Sequence, residues 1–102
     1  MPIYMNITKS NAKNKKFTAV FSHYKDGKRV KIKTTQFGDS RYQDYTQTKD
    51  KTKRAQYRNR HKVDLTTKDY MRAGFLSYYL LWGDSTSLQT NINTYKKKFK
   101  LK

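Results

Sequence analysis

Lys15-Lys16-Phe17-Thr18-Ala19-Val20-Phe21-Ser22-His23-Tyr24-Lys25-Asp26-Gly27-Lys28-Arg29-Val30-Lys31-Ile32-Lys33-Thr34-Thr35-Gln36-Phe37 is the stretch whose reading decides the fold. Phe17, Ala19, Phe21 and His23 alternate with Thr18, Val20, Ser22 and Tyr24, the period of two of a half-buried strand. Asp26-Gly27 then supplies a type I′ turn, which needs positive φ at both central positions. A two-residue loop fixes the register of a hairpin over about residues 16–37. Lys25 falls opposite Lys28, His23 opposite Val30, Phe21 opposite Ile32, and Ala19 faces Thr34. Phe17, Phe21, Val30 and Ile32 then share a core-seeking face. Tyr24, Arg29, Lys31 and Lys33 share a basic, tyrosine-bearing face open to solvent or to a polyanion. An isolated two-stranded ribbon is marginal, so this one must pack on helices or gain a strand.

Downstream, Phe37-Gly38-Asp39-Ser40 leaves the hairpin through a glycine turn, and residues 41–46 read as a structured loop. Thr48 as N-cap and Asp50 in the first turn open a helix over about 49–61. It is polar nearly all round, with Ala55 and Tyr57 as its small or apolar anchors. Thr67 caps a second helix over 69–82, the densest apolar element, with Met71, Phe75, Leu76, Tyr78, Tyr79, Leu80 and Trp82. Gly74 costs that helix about 1 kcal/mol against alanine, which suggests close approach of a neighbour. Gly83 stands at its C′ position. Asp84 or Ser85 caps a third helix over 86–100, where Leu88, Ile92, Tyr95 and Phe99 form one stripe. Upstream, residues 1–14 read as a flexible arm or as one short strand carrying Ile3, Tyr4, Met5 and Ile7. The expected fold class is α+β: an N-terminal β-hairpin packed on a bundle of three short helices, in a single domain over 15–102.

Charge sets the functional frame. Of 102 residues, 24 are Lys or Arg and seven are acidic, all of them Asp, for a net charge of +17. Aromatics reach 15%, with nine Tyr, which argues against a disordered basic tail. There is no Cys, so disulfides, Cys zinc sites and thiol catalysis are excluded. No apolar run approaches the ~20 residues of a membrane helix, so no membrane role is expected, and no hydrophobic signal segment opens the chain. No phosphate-binding glycine loop, zinc-protease motif or catalytic triad context is present. Asp39, Asp44, Asp50, Asp64 and Asp69 could converge as nuclease ligands, but aspartates at helix starts and in loops are the commoner reading. No enzyme activity, metal or cofactor is expected. His61 could contact phosphate or pack at a helix end, and His23 reads as an interior or edge histidine.

Polyanion binding is the better supported class, because cations and aromatics sit together in three segments. The candidate nucleic-acid contacts are Arg29, Lys31, Lys33, Lys53, Arg54, Arg58, Arg60 and Lys97. Helix 49–61 is the segment expected to lie along a phosphate backbone or in a major groove. Gln56 and Asn59 alone resemble base-edge readers, so strong sequence specificity is not expected. The runner-up is a protein-assembly role, with Tyr42, Tyr45 and Trp82 as contact candidates. One continuous basic stripe would favour nucleic acid, and basic patches broken by a sizeable aromatic patch would favour assembly.

In order, Lys16–Phe21, Asp26–Lys28, Gln36-Phe37-Gly38, Tyr42–Thr46, Tyr57–His61, Ala73–Ser77, Leu80–Gly83, Leu88–Ile92 and Tyr95–Phe99 resemble small basic proteins of unknown function from nucleocytoplasmic large DNA viruses. The resemblance spans about residues 15–101. It implies a virion protein, in host cytoplasm or nucleus during infection, that condenses or packages the genome or cements the capsid. The partners it implies are nucleic acid, double-stranded DNA first, or acidic and capsid proteins. It carries over no catalytic residue. The aromatic-rich helical faces are also compatible with a homodimer.

Overall fold

Met5, Ile7, Phe17, Ala19, Phe21 and Phe37 occupy alternate positions of three antiparallel strands, so all leave the sheet on the same side. The computed structural model, which describes residues 2–102, places these strands at β1 (Tyr4–Lys9), β2 (Lys15–Lys25) and β3 (Lys28–Asp39), in spatial order β1-β2-β3. An α+β fold is therefore present, and the hairpin gains a third strand from the segment read as a flexible arm or as one short strand. Residues 4–9 are not a free arm: Met5 pairs with Phe21 and Ile7 with Ala19. The apolar patch near the N-terminus is the inner face of a strand, and it supplies the partner a lone hairpin lacks.

The hairpin turn forms as the sequence requires, with Asp26 at φ 52° and Gly27 at φ 77°. Lys25 lies opposite Lys28 and His23 opposite Val30. A bulge between Phe21 and Ser22 then shifts the register, so that Phe21 faces Lys33 rather than Ile32 and Ala19 faces Thr35 rather than Thr34. The bulge adds one residue to β3 and reverses which face each later residue joins. Lys33 moves to the helix side of the sheet. Val30 and Ile32, expected in the core, are 40% and 43% exposed.

The helices are short, as expected, but they are divided into more segments than three. Asp44 caps α1 (Tyr45–Thr48) with a capping box to Gln47, where a loop was expected. Lys49 takes left-handed backbone (φ 58°), so α2 (Lys51–His61) starts afresh with Asp50 as its N-cap in place of Thr48. A 3-10 segment, Lys62–Thr67, follows. The helix expected from residue 69 begins only at α3 (Ala73–Leu76), because Lys68 is left-handed and the Asp69 carboxylate accepts from the Met71 N–H in a local turn. Ser77–Leu81 continues α3 as a π turn, in which the Trp82 N–H donates to the Ser77 carbonyl at 3.1 Å. Ser87 caps α4 (Leu88–Lys98), two to three residues beyond the expected cap.

Leu76, Leu80 and Leu81 meet Met5, Ala19, Phe21 and Phe37, and Ile92 and Tyr95 from α4 join the same core. Each of the buried Leu, Ile, Phe and Met side chains contributes about 1.5–3 kcal/mol. Tyr95 is 1% exposed, and its hydroxyl donates to the Tyr70 carbonyl. Burial raises its phenol pKa above the ordinary value. Asn91, also buried, ties the helix junction together: its amide donates to the carbonyls of Leu80 (3.0 Å) and Ser85 (2.8 Å) and accepts from the Ser85 N–H. After α4, Lys100 turns the chain in left-handed backbone, and Leu101 enters the core. Lys102 exchanges backbone hydrogen bonds with Ile3 and Met5 on the outer edge of β1.

Gly83 follows the helix as expected, but not for a left-handed φ. A Cβ there would lie 2.1 Å from the Tyr79 carbonyl oxygen, so glycine is required by contact with rigid backbone. Gly83→Ala is expected to lower unfolding free energy by about 1–3 kcal/mol, read as a lower urea midpoint at unchanged slope.

Candidate nucleic-acid interface

β2 and β3 outrun the rest of the molecule. β1 ends at Tyr4, opposite Ser22, and every residue from Tyr24 to Thr34 is exposed. The result is a two-stranded ribbon projecting past the body. Its outer face presents Tyr24, Arg29 and Lys31, with Lys25 and Lys28 at the tip. The Arg29 guanidinium lies over both the Tyr4 ring (4.6 Å) and the Tyr24 ring (5.3 Å), and those rings meet edge to face at 5.4 Å. This stacking fixes the planar cation while none of its N–H groups meets a carboxylate, the preorganised state that suits phosphate. Ser22, paired with both Tyr4 and Lys31, is 3% exposed at the ribbon's base.

The acidic residues are committed elsewhere. Lys16 and Asp44 form a largely buried pair at 2.6 Å, and that carboxylate also accepts from the Thr46 N–H. Asp50 accepts from the N–H groups of Thr52 and Lys53. Arg41 holds Asp39 at 2.8 Å, and its hydrogen bonds lower that carboxyl's pKa to about 2. Asp69 pairs with Arg72 at 3.3 Å, and Asp64 with the His61 imidazole at 3.2 Å. Among the described residues, the ribbon has Asp26, in the turn, as its one acid. No group of three metal-ligating side chains occurs among the described residues.

The expected contact residues therefore separate. Arg29 and Lys31 stand together on the ribbon. Lys33 is exposed but on the opposite face, where with Thr35, Asp64 and Arg72 it lines a shallow recess. Arg54 and Arg58 do not face outward as expected from the helix. Arg54 donates to the Gly83 carbonyl (2.6 Å) and to Asp84 (2.5 Å) and lies over the Tyr45 ring. Arg58 donates to the same Asp84 at 3.1 Å and covers Tyr78. Both clamp α2 to the helix junction. Lys53, Gln56, Asn59 and Arg60 remain on its exposed side, and Lys97 is exposed on α4. Of the aromatic candidates, Tyr42 is 69% exposed, but Tyr45 is 5% exposed. Trp82 is half-buried and stacked on Tyr57 at 4.4 Å, which stacks in turn on His61 at 4.1 Å. Tyr42 and Trp82 border the same recess at the base of β2 and β3, but with Tyr45 buried the three form no exposed aromatic patch. Tyr4, read from the sequence only as part of an arm or short strand, was not among the contact candidates, although it packs on Arg29.

Burial raises the Tyr57 phenol pKa to about 12. A phenol raised above its unfolded value of about 10 stabilises the fold below pH 10 and loses that contribution as pH climbs from 10 towards 12. Stability is expected to fall over that alkaline window, and Tyr57→Phe is expected to flatten the fall, as read by urea midpoints measured between pH 9 and 11.

Comparison with curated proteins and with solved structures gave no match. Residues 5–61, more than half of the chain, match a family of unknown function (DUF5754). That span covers β1 from Met5 onward, both hairpin strands, α1 and α2, and on this match the chain belongs to that family.

Proposed function

We propose that this is a non-enzymatic nucleic-acid-binding protein that uses the projecting β-ribbon, without strong sequence specificity, on double-stranded DNA. The observation that carries the reading is the run of exposed, strand-paired residues Tyr24–Thr34. It bears Lys25, Lys28, Arg29 and Lys31 with no ion-pair partner among the described residues. A two-stranded ribbon fits the major groove, which is about 12 Å wide. Cations there displace counterions from the backbone, and that term is independent of sequence. Exposed Val30 and Ile32 add apolar contact at the ribbon's flank. The ribbon cations are continuous, whereas Tyr45 is buried and Trp82 half-buried, which leaves Tyr42 as the one largely exposed aromatic of the three candidates. That geography favours nucleic acid over a capsid-cement role. Within the viral resemblance, genome packaging or condensation is the role in which we place this contact.

Binding to a labelled 30-base-pair duplex across a salt series tests the reading. Micromolar affinity at low salt with a steep negative log–log slope is expected. Arg29→Ala with Lys31→Ala should reduce the slope by about two, roughly one per lost phosphate contact. Lys53→Ala on α2 should change it less. No binding at low salt, or a slope insensitive to the ribbon substitutions, would sink the proposal.

A further inference from the structure

At the opposite end of the hairpin from its tip, roughly 35 Å along the strands at 3.3 Å per residue, lies a cleft of about 590 Å³ between the base of β2 and β3, α2 and the π turn. This volume falls within the range of about 300–1,000 Å³ typical of small-molecule sites. We propose that the cleft binds a nucleoside monophosphate unit, either a free nucleotide or the 5′-phosphorylated end of a strand. The proposal does not rest on the ribbon.

One wall of the cleft carries the aromatic column. Trp82 and Tyr57 stack within 8° of parallel, Tyr57 and His61 within 22°, and all three line the cleft. The column ends on the His61 imidazole, whose side chain is 41% exposed, so a further flat ring can continue the stack. Asp64 holds the imidazole through Nδ1 and fixes its plane. Tyr42 stands at the rim with no aromatic or cationic ring partner among the described residues, although it is the most exposed of the large hydrophobic residues. Stacking on aromatic side chains tolerates any base.

The polar lining completes the match. Lys15 and Arg60 line the cleft as exposed cations that form no salt bridge among the described residues, although Lys15 lies opposite Asp39 in the sheet, and both are available to a phosphate. The three lining carboxylates are each engaged, Asp39 by Arg41, Asp44 by Lys16 and Asp64 by His61, so they do not repel an anion as free charges would. Gln43 offers an amide donor and acceptor for a base edge. An inorganic anion would leave the aromatic wall unused, and an apolar ligand would leave the two cations unused.

Trp82 is the single tryptophan, so its fluorescence reports on this cleft in the unaltered protein. Titration with AMP is expected to give a saturable change with a dissociation constant below ~1 mM. Arg60→Gln and Tyr42→Ala, both at exposed positions, should each weaken binding about tenfold. Arg29→Ala with Lys31→Ala should leave it unchanged. Ribose 5-phosphate and inorganic phosphate should bind far more weakly than AMP. A 5′-phosphorylated trinucleotide that binds more tightly than AMP assigns the site to strand ends, and one that binds more weakly assigns it to free nucleotide. The proposal is overturned by the absence of saturation, by inorganic phosphate matching AMP, by indifference to both cleft substitutions, or by loss of binding in the ribbon variant.

Discussion

Seven carboxylates have to hold together a chain with 24 lysines and arginines. This constraint decides which parts of the sequence can come close. At two places where distant segments meet, an aspartate joins them. Asp44 meets Lys16 as the first helix leaves the sheet, and Asp84 meets both Arg54 and Arg58 where α2 crosses the helix junction. An exposed ion pair contributes little to stability, and Asp84 is largely exposed. Its larger effect is to draw two guanidiniums onto Tyr45 and Tyr78, whose faces they cover. The pair between Lys16 and Asp44 is nearly buried, so loss of either partner would strand a charge. The segment from Tyr24 to Thr34 has one acid, at the turn, and there the chain stays extended and uncovered.

The β-bulge marks the division between body and ribbon. On the body side, alternation delivers Phe17, Ala19 and Phe21 to the leucines of the helical layer. Beyond the bulge no element covers the sheet, and the same alternation sorts cations from apolar residues over two open faces. Tyr4 and Tyr24 grip Arg29 at the base of the ribbon. Two uncovered strands can keep their shape because β1 supports one end and the type I′ turn closes the other.

The sequence was most legible where one local rule had no competitor. Asp26-Gly27 allowed a single turn type, and the residues around it paired as the turn dictates. The strand over Tyr4–Lys9 was harder to read, because so short an alternating segment becomes a strand only when Phe21 and Ala19 are there to face Met5 and Ile7. The register shift beside Phe21 was invisible, since Ile32 and Lys33 both suit a strand and only the helix-side packing discriminates between them. Helix boundaries moved wherever a residue took left-handed backbone. Lys49, Lys68 and Lys100 do so, and lysine gives no local warning of it. At the site, the cations of the ribbon were readable from the hairpin itself. Arg54 and Arg58 were not, because their partner Asp84 lies about thirty residues away along the chain. The cleft was equally hidden: Tyr42, Tyr57 and Trp82 come from three segments that only the tertiary fold brings together.

The short parallel contact between Ile3 and Leu101 has a consequence for how the chain matures. β1 needs β2 on one side and the last turn of the chain on the other, so its outer edge stays unpaired until α4 has formed and docked. Closing so long a loop is entropically costly and places the step late in folding. During synthesis β1 is therefore the strand left waiting, with Asn6, Thr8 and Lys9 as its exposed residues in the meantime. Until that contact closes, the outer edge of β1 is open to pairing with a second chain, so the α4 end of the molecule also guards the sheet.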